Sequence, residues 1–494
     1  MLKNAKILML ASIMSFMLVF GFIASMTGWN LVQLKDVTRA NEALYENTTP
    51  EEFDYSEIES EIVNPTLFKL FRLLSSSEWA YGVGSYLEAY IAHDLRSDFE
   101  KINLGFHMFC GSACLILGVF QFWPAFRRKH RKIHRVMGSI YALCALALGL
   151  SVWVYLIYAG MDGTYDQLVG NWGLYILSGT EMFALFMAFY ALKKRQYAQH
   201  LGWMAITLGS FLTAPWQRYN WMMLAWMDTG HTHQVINGAV DTVLYTQAYL
   251  TAYFVMVANR QASPTNTAFV FEGYSQVFKR NIMTITALGV LTMFMFYAFS
   301  EGNFSSDGYG KLVNTDLLTR EREVLFGSGS ILVSLFALLT VGMMLVSGYM
   351  IIAYRKHHSL AYLLGAMCIA IAMIELTWSH EIGYPTVHLS SGGSHYFGWG
   401  ILHLLFGSMI VFAAIRRYEL LLTEWTVMTW VLSFMPVGAL WLSPIFSFID
   451  VIPHAYIEGG HTSVLLNGGV MQTLFLIAMV LAIYGPATQA RKVS

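Results

Sequence analysis

Residues 7–26 read Ile-Leu-Met-Leu-Ala-Ser-Ile-Met-Ser-Phe-Met-Leu-Val-Phe-Gly-Phe-Ile-Ala-Ser-Met. A helix rises about 1.5 Å per residue, so an uncharged run of this length covers the roughly 30 Å of a bilayer's hydrocarbon core. Lys3 and Lys6 precede it. The run is longer than a usual signal-peptide core and no clean small-x-small cleavage site follows, so it reads as a retained first span. Similar apolar stretches recur along the 494 residues, which are 56% hydrophobic and only 12% charged; soluble domains carry about 25% charged residues. The fold class is all-α, a polytopic helical membrane protein whose first partner is the lipid bilayer. A formal net charge of -1 gives no global field for nucleic acid.

Twelve spans can be drawn from hydropathy, at about 7–29, 103–124, 136–160, 173–192, 201–227, 240–258, 281–300, 328–353, 359–380, 394–415, 425–447 and 463–484. One set of loops receives Arg127, Arg128, Lys129, Arg131, Lys132, Arg135, Lys193, Lys194, Arg195, Arg260, Lys279, Arg280, Arg355, Lys356, Arg416 and Arg417. The loops around 161–172, 229–239, 381–393 and 448–462 hold no Lys or Arg. The positive-inside rule then puts both termini in the cytoplasm.

Gly230, His231, Thr232, Asn237, Gly238 and Val240 recur 230 residues later as Gly460, His461, Thr462, Asn467, Gly468 and Val470. Further upstream, Ala125-Phe126-Arg127 recurs as Ala353-Tyr354-Arg355, and Asn171-Trp172-Gly173 as Gly398-Trp399-Gly400. A nearly constant offset marks an internal duplication, and six spans per copy give two parallel six-helix halves. The expected layout is a first transmembrane helix (1–29), an external acidic cap (30–102), a first-half membrane domain (103–260), a cytoplasmic linker (261–280) and a second half (281–494). The cap holds 14 of the 31 acidic residues against six basic ones.

Histidines are the abundant polar signal, 15 in all. Comparing the copies separates them. His231 pairs with His461 and His130 with His357, whereas His134 falls opposite Ala361, His200 opposite Glu424 and His107 near Leu335. The first half therefore has three span-associated histidines that its copy lacks. His134 opens the third span and His200 the fifth, on the same side. Two imidazoles from neighbouring helices at one depth are what bis-histidine ligation of haem b requires. His107 lies nearer the outer surface and would need a partner there, His231 or His233. His231 and His461 are also weak candidates for a metal. The four cysteines, Cys110, Cys114, Cys144 and Cys368, all fall inside spans without zinc-ligand spacing and read as small packing residues.

Ionisable residues deep in spans are functional candidates because burying them costs energy. Glu181 and Arg218 occupy similar depths in the fourth and fifth spans, and an ion pair is the simplest reading. Glu375 and His403 lie in the ninth and tenth spans and make a candidate proton or cation site. No Walker loop, dinucleotide Gly pattern, His-Glu-x-x-His motif or nucleophile elbow is present.

The histidine-bearing elements have a recognisable order. His107 enters the second span, which ends on Leu117-Gly118-Val119-Phe120-Gln121-Phe122. A basic run from Arg127 leads into His134-Arg135-Val136-Met137-Gly138-Ser139-Ile140-Tyr141, and later comes His200-Leu201-Gly202-Trp203-Met204. This resembles a family of bacterial predicted membrane proteins catalogued as a domain of unknown function, number 2306. The resemblance covers roughly residues 100–260 and extends to an arginine at Arg218. The second half departs from it at every histidine. It implies a fold of packed spans and no established reaction. Two functional classes stand open: a haem-b-binding redox component with a redox partner, or a proton-coupled secondary transporter of a small-molecule substrate built on the 6+6 repeat. A non-catalytic assembly factor is the third. An absorption spectrum separates the first two.

Overall fold

The computed structural model describes residues 2–32, 75–81, 85–86, 97–160, 167–227, 233–261, 269–270, 274–299, 323, 330–353, 358–382, 392–438, 441, 445, 448, 473, 475–480 and 491–492. Its helices are α1 (Leu2–Val32), α2 (Ser77–Tyr81), α3 (Asp98–Phe122), α4 (Pro124–Lys129), α5 (Arg131–Ala159), α6 (Gln167–Lys193), α7 (Tyr197–Trp226) and α8 (His233–Gln261), then α9 (Gln276–Phe299), α10 (Ser330–Ala353), α11 (His358–Ile382), α12 (Gly392–Arg416) and α13 (Glu419–Leu432). Two residues of β1 (Phe269–Val270) pair antiparallel with β2 (Arg491–Lys492).

Among the described residues nine helices are long and apolar enough to cross a membrane: Ile7–Val32, Asp98–Phe122, Arg131–Ala159, Gly173–Lys193, Gln276–Met295, Ile331–Ala353, His358–Glu381, Tyr396–Arg416 and Glu419–Gly438. Their outward faces are what lipid demands. On α5, Val136, Ile140, Leu143, Leu150 and Ile157 are all exposed, an apolar stripe at helical spacing that water would penalise and hydrocarbon accepts. The chain is an integral membrane protein.

The nine do not include α7 and α8, expected as spans at 201–227 and 240–258. Both are long enough, at 30 and 29 residues, but carry Gln217, Arg218, Asn220, Asn237, Asp241 and Gln247. Pairing explains how they tolerate these groups: Gln217 Nε2 donates to Asn237 Oδ1 and Asn220 Nδ2 to Gln247 Oε1 across the two helices, while Ala205 to Thr213 and Ala248 to Tyr253 are buried throughout. The expected span at 463–484 and the histidines His231 and His461 fall wholly or mostly outside the described residues, as does most of the 30–102 cap.

Contacts divide the chain into two compact units, residues 1–240 with 247–264, and 265–494 with 241–246. In the first, α1 packs on α3, α3 on α5, α5 on α6 and α6 on α7. In the second, α9 packs on α10, α10 on α11, α11 on α12, and α13 against both α10 and α12. Local sequence sets the joints. Ser97 and Glu100 form a reciprocal capping box that opens α3, satisfying amide donors a helix start leaves bare. Pro124 opens α4, where its missing N–H costs nothing. Gly160 closes α5 at φ 71°, a backbone region glycine enters freely.

Close helix approach rests on small residues, as is usual where lipid supplies no hydrophobic drive between helices. A side chain on Gly105 of α3 would sit 2.9 Å from the carbonyl of Gly28 on α1. In the second unit a side chain on Gly407 of α12 would sit 2.8 Å from the carbonyl of Gly365 on α11.

Candidate functional site

Polar groups inside the first unit gather at three levels. At the end carrying the basic run, His200 stands in the first turn of α7 and its Nδ1 lies 3.0 Å from the carbonyl oxygen of Ala188 on α6. A carbonyl only accepts, so Nδ1 carries the proton and Nε2 keeps its lone pair. His134, in the first turn of α5, is half-buried, and its Nδ1 is buried without a hydrogen-bond partner. Its backbone carbonyl accepts from the Gln121 side chain at 3.2 Å, which ties the start of α5 to the end of α3. His134 lies within electrostatic reach of both His200 and Arg127. The structure therefore places the two histidines that the sequence paired at the same end of the unit.

In the middle, Glu181 of α6 is 1% exposed and neither carboxyl oxygen has a hydrogen-bond partner. One of those oxygens lies against Gly149 of α5, where a Cβ would come within 2.6 Å of it. Tyr141, Tyr249 and Cys114 lie within its electrostatic reach. The Tyr249 and Ser210 hydroxyls are 3.0 Å apart, and the Tyr141 hydroxyl is buried without a partner.

At the far end, His107 of α3 lies 3.1 Å through Nδ1 from the Ser151 hydroxyl of α5. That hydroxyl donates to the carbonyl of Leu148 at 2.7 Å, so it accepts from Nδ1, and the His107 ring itself also reaches the Leu148 carbonyl. Arg218 is within electrostatic reach of His107. Its Nη1 donates to Gln217 Oε1 at 2.8 Å and to the carbonyl of Ala214 at 3.3 Å, and its guanidinium lies over the Trp221 ring at 5.2 Å. Both Trp221 Nε1 and Gln217 Nε2 donate to Asn237 Oδ1.

One expectation is corrected here. Glu181 and Arg218 form no ion pair: the carboxylate has no hydrogen-bond partner while the guanidinium is held by neutral groups of its own helix. Glu181 faces Gly149 and the tyrosines of the interior. Arg218 belongs to the far-end cluster.

In the second unit Glu375 of α11 and His403 of α12 meet, His403 Nδ1 lying 2.6 Å from Glu375 Oε2. The two side chains are 0% and 1% exposed.

His233, which the sequence offered as a partner for His107, is buried, and two further buried polar residues, Asn259 and Glu424, were not among the site candidates. His233 is 1% exposed and sits edge-on to Trp221, Tyr86 and Trp79 at 4.7, 5.2 and 5.3 Å. Asn259 of α8 donates to the carbonyl of Phe122 at 2.8 Å, satisfying the C-terminus of α3. Glu424 of α13 is fully buried. The usable signal was the presence of such side chains on long, otherwise apolar helices; which of them meet was not readable. No group of three or more His, Cys, Asp or Glu among the described residues is arranged to hold a metal ion.

A family model described as "Predicted membrane protein (DUF2306)" matches residues 104–256. The match takes in His107, His134, Glu181, His200, Arg218 and His233, but neither Glu375 nor His403. No curated protein and no solved structure matches the chain.

Proposed function

We propose that the first unit holds haem b and serves as a transmembrane redox component, with His134 and His200 as the residues that would hold it. The observation that carries this reading is the hydrogen bond from His200 Nδ1 to the Ala188 carbonyl. Imidazoles that ligate a metal through Nε2 commonly donate Nδ1–H to a carbonyl, which fixes the ring and raises its basicity. His134 starts the neighbouring helix α5 at the same end of the unit and within electrostatic reach of His200. Its unpartnered buried Nδ1 is the orphaned polar atom expected where a site lacks a group. The donor set thus fits a low-spin bis-imidazole iron. Arg127, close to both rings, would face a carboxylate of the macrocycle. When bound, the group supplies one-electron transfer; the chain's part is to orient the two rings.

His107 supports a second position at the far end, its Nδ1 bonded to Ser151, with His233, buried against Trp221, as the second histidine there.

The orientation we propose puts both termini on the cytoplasmic side of a bacterial inner membrane, supported by the basic loops. The chain is read as a duplicated half, supported by the recurring sequence blocks. An absorption spectrum of the purified full-length protein tests the function. A Soret band with reduced b-type bands is expected. Colourless protein after expression with ample haem supply would remove the redox reading and bring proton-coupled transport forward.

A further inference from the structure

The second unit lies, apart from residues 241–246, outside the family match. It nevertheless brings together two ionisable side chains in an enclosed interior. Glu375 and His403 belong to helices that approach backbone to backbone. A side chain on Gly365 would come within 3.0 Å of the Gly407 carbonyl, and one on Gly400 within 3.3 Å of the Ala372 carbonyl. This close approach lets two side chains 28 residues apart meet at 2.6 Å.

A contact that short requires a proton between the two atoms, since a carboxylate oxygen and a bare imidazole nitrogen are both acceptors. The remaining atoms, Glu375 Oε1 and His403 Nε2, are buried and have no hydrogen-bond partner. A purely structural ion pair satisfies its leftover lone pairs and protons, because each one left bare costs energy. Here two are left bare. The charge states follow by counting. With one proton in the Nδ1–Oε2 bond and another on Nε2, the pair is neutral. Losing the Nε2 proton leaves a neutral imidazole that donates Nδ1–H to the carboxylate, with net charge −1. Only an N–H bond breaks, and the proton passes to water. Of the ionisable groups on the surrounding helices, Cys368 of α11 acts on Glu375; α11 also carries His358, Tyr362, His380 and Glu381, α12 carries Tyr396, packed on Trp378, and Arg416, and α13 carries Glu419 and the buried Glu424. From α10 there is only the exposed Tyr349.

We propose that Glu375 and His403 form a proton-binding site in the second unit, exchanging one proton per chain through His403 Nε2. The site does not depend on haem in the first unit, so the two readings fail separately.

The test uses the full chain in phosphatidylethanolamine/phosphatidylglycerol nanodiscs. Proton uptake on a step from alkaline to acid buffer is read with a pH indicator, and infrared difference spectra are recorded over the same step in H2O and D2O. Wild type is expected to take up one more proton per chain than E375Q/H403Q. Its difference spectrum should contain carboxyl and imidazole bands that shift in D2O and disappear in that variant. The double substitution keeps a neutral amide pair of similar size, so it should fold where a single change leaves one partner stranded. If it does not fold, the wild-type bands decide alone, by whether they respond to pH and to D2O. Equal uptake and unchanged bands in the variant would overturn the proposal. So would wild-type bands for the pair that respond to neither pH nor D2O, the signature of a locked structural tie.

Discussion

His200 donates Nδ1–H to the carbonyl of Ala188 at 3.0 Å, joining the first turn of α7 to the last turns of α6. One bond fixes both the ring orientation and the tautomer, and it points the ligand nitrogen away from α6. The prediction is spectroscopic. If haem is held here, His200→Ala and His134→Ala should each abolish the same low-spin component, because that spin state needs both axial imidazoles. His357→Ala should leave the spectrum intact. Two different components lost in the two variants would show that the histidines do not share an iron.

Glu181 and Arg218 lead to a second expectation, the reverse of what an ion pair would give. Since each is held without the other, Glu181→Ala and Arg218→Ala should be additive in thermal stability, to within about 0.5 kcal/mol. Arg218→Ala loses two hydrogen bonds and the contact with Trp221, and should cost about 1–3 kcal/mol. Glu181→Gln replaces a buried, unpartnered carboxyl by an amide of the same size and should be close to neutral. A double variant clearly less damaged than the two single losses combined would restore the pair.

Hydropathy made the helical membrane class legible, and residues 7–26 alone nearly decide it. The polar helices were harder. Residues 201–227 and 240–258 were read as spans like the rest, but α7 and α8 carry polar side chains that pair with each other. Depth along a helix is readable from sequence; azimuth is not, when lipid and protein neighbours are both apolar. That is why matched depth suggested a Glu181–Arg218 pair, while the two side chains face different parts of the unit. It is also why Glu375 and His403 could be named as one candidate site without their 2.6 Å contact being foreseen. His134 and His200 were easier, because each sits at a helix start beside a charged loop, where both end and neighbours are marked.

The loop charges carry a topological prediction. Reporter fusions at Gly163, Gly230, Pro385 and Gly460 should report an external location, and fusions at Arg195, Gln261 and the C-terminus a cytoplasmic one. A cytoplasmic signal at Gly230 would break the parallel six-plus-six arrangement.

Arg195 and Arg417 stand at φ 60° and 53°, ending α6 and α12. Each turn closes in the same way. Gln196 N donates to the Ala191 carbonyl and Arg195 N to Leu192, as Tyr418 N donates to Ala413 and Arg417 N to Ala414. This is the pattern that usually takes glycine at the left-handed position, and a side chain there costs roughly 1–2 kcal/mol. Arg195→Gly and Arg417→Gly should therefore each raise the melting temperature of the detergent-solubilised protein, while Arg195→Val should lower it. A fall on Gly substitution would mean that the exposed guanidinium contributes more than the backbone strain it imposes.

The last expectation concerns the glycines that let helices touch. A Cβ on Gly105 would lie 2.6 Å from Val32 Cγ2 as well as 2.9 Å from the Gly28 carbonyl, and one on Gly407 would lie 2.8 Å from the Gly365 carbonyl and 2.9 Å from Cys368 Cβ. The valine methyl can rotate aside, but backbone carbonyls cannot, so the helices must separate. Overpacking of this kind costs about 1–3 kcal/mol. Gly105→Ala should loosen α1 from α3, and Gly407→Ala should loosen α11 from α12. The two differ in a way that tests the second unit directly. Gly407 lies one turn along α12 from His403, so Gly407→Ala should also disturb the Glu375–His403 bond and shift its infrared bands, whereas Gly105→Ala should leave those bands in place. Both variants with unchanged melting behaviour would show that these helix pairs have room the glycines do not need.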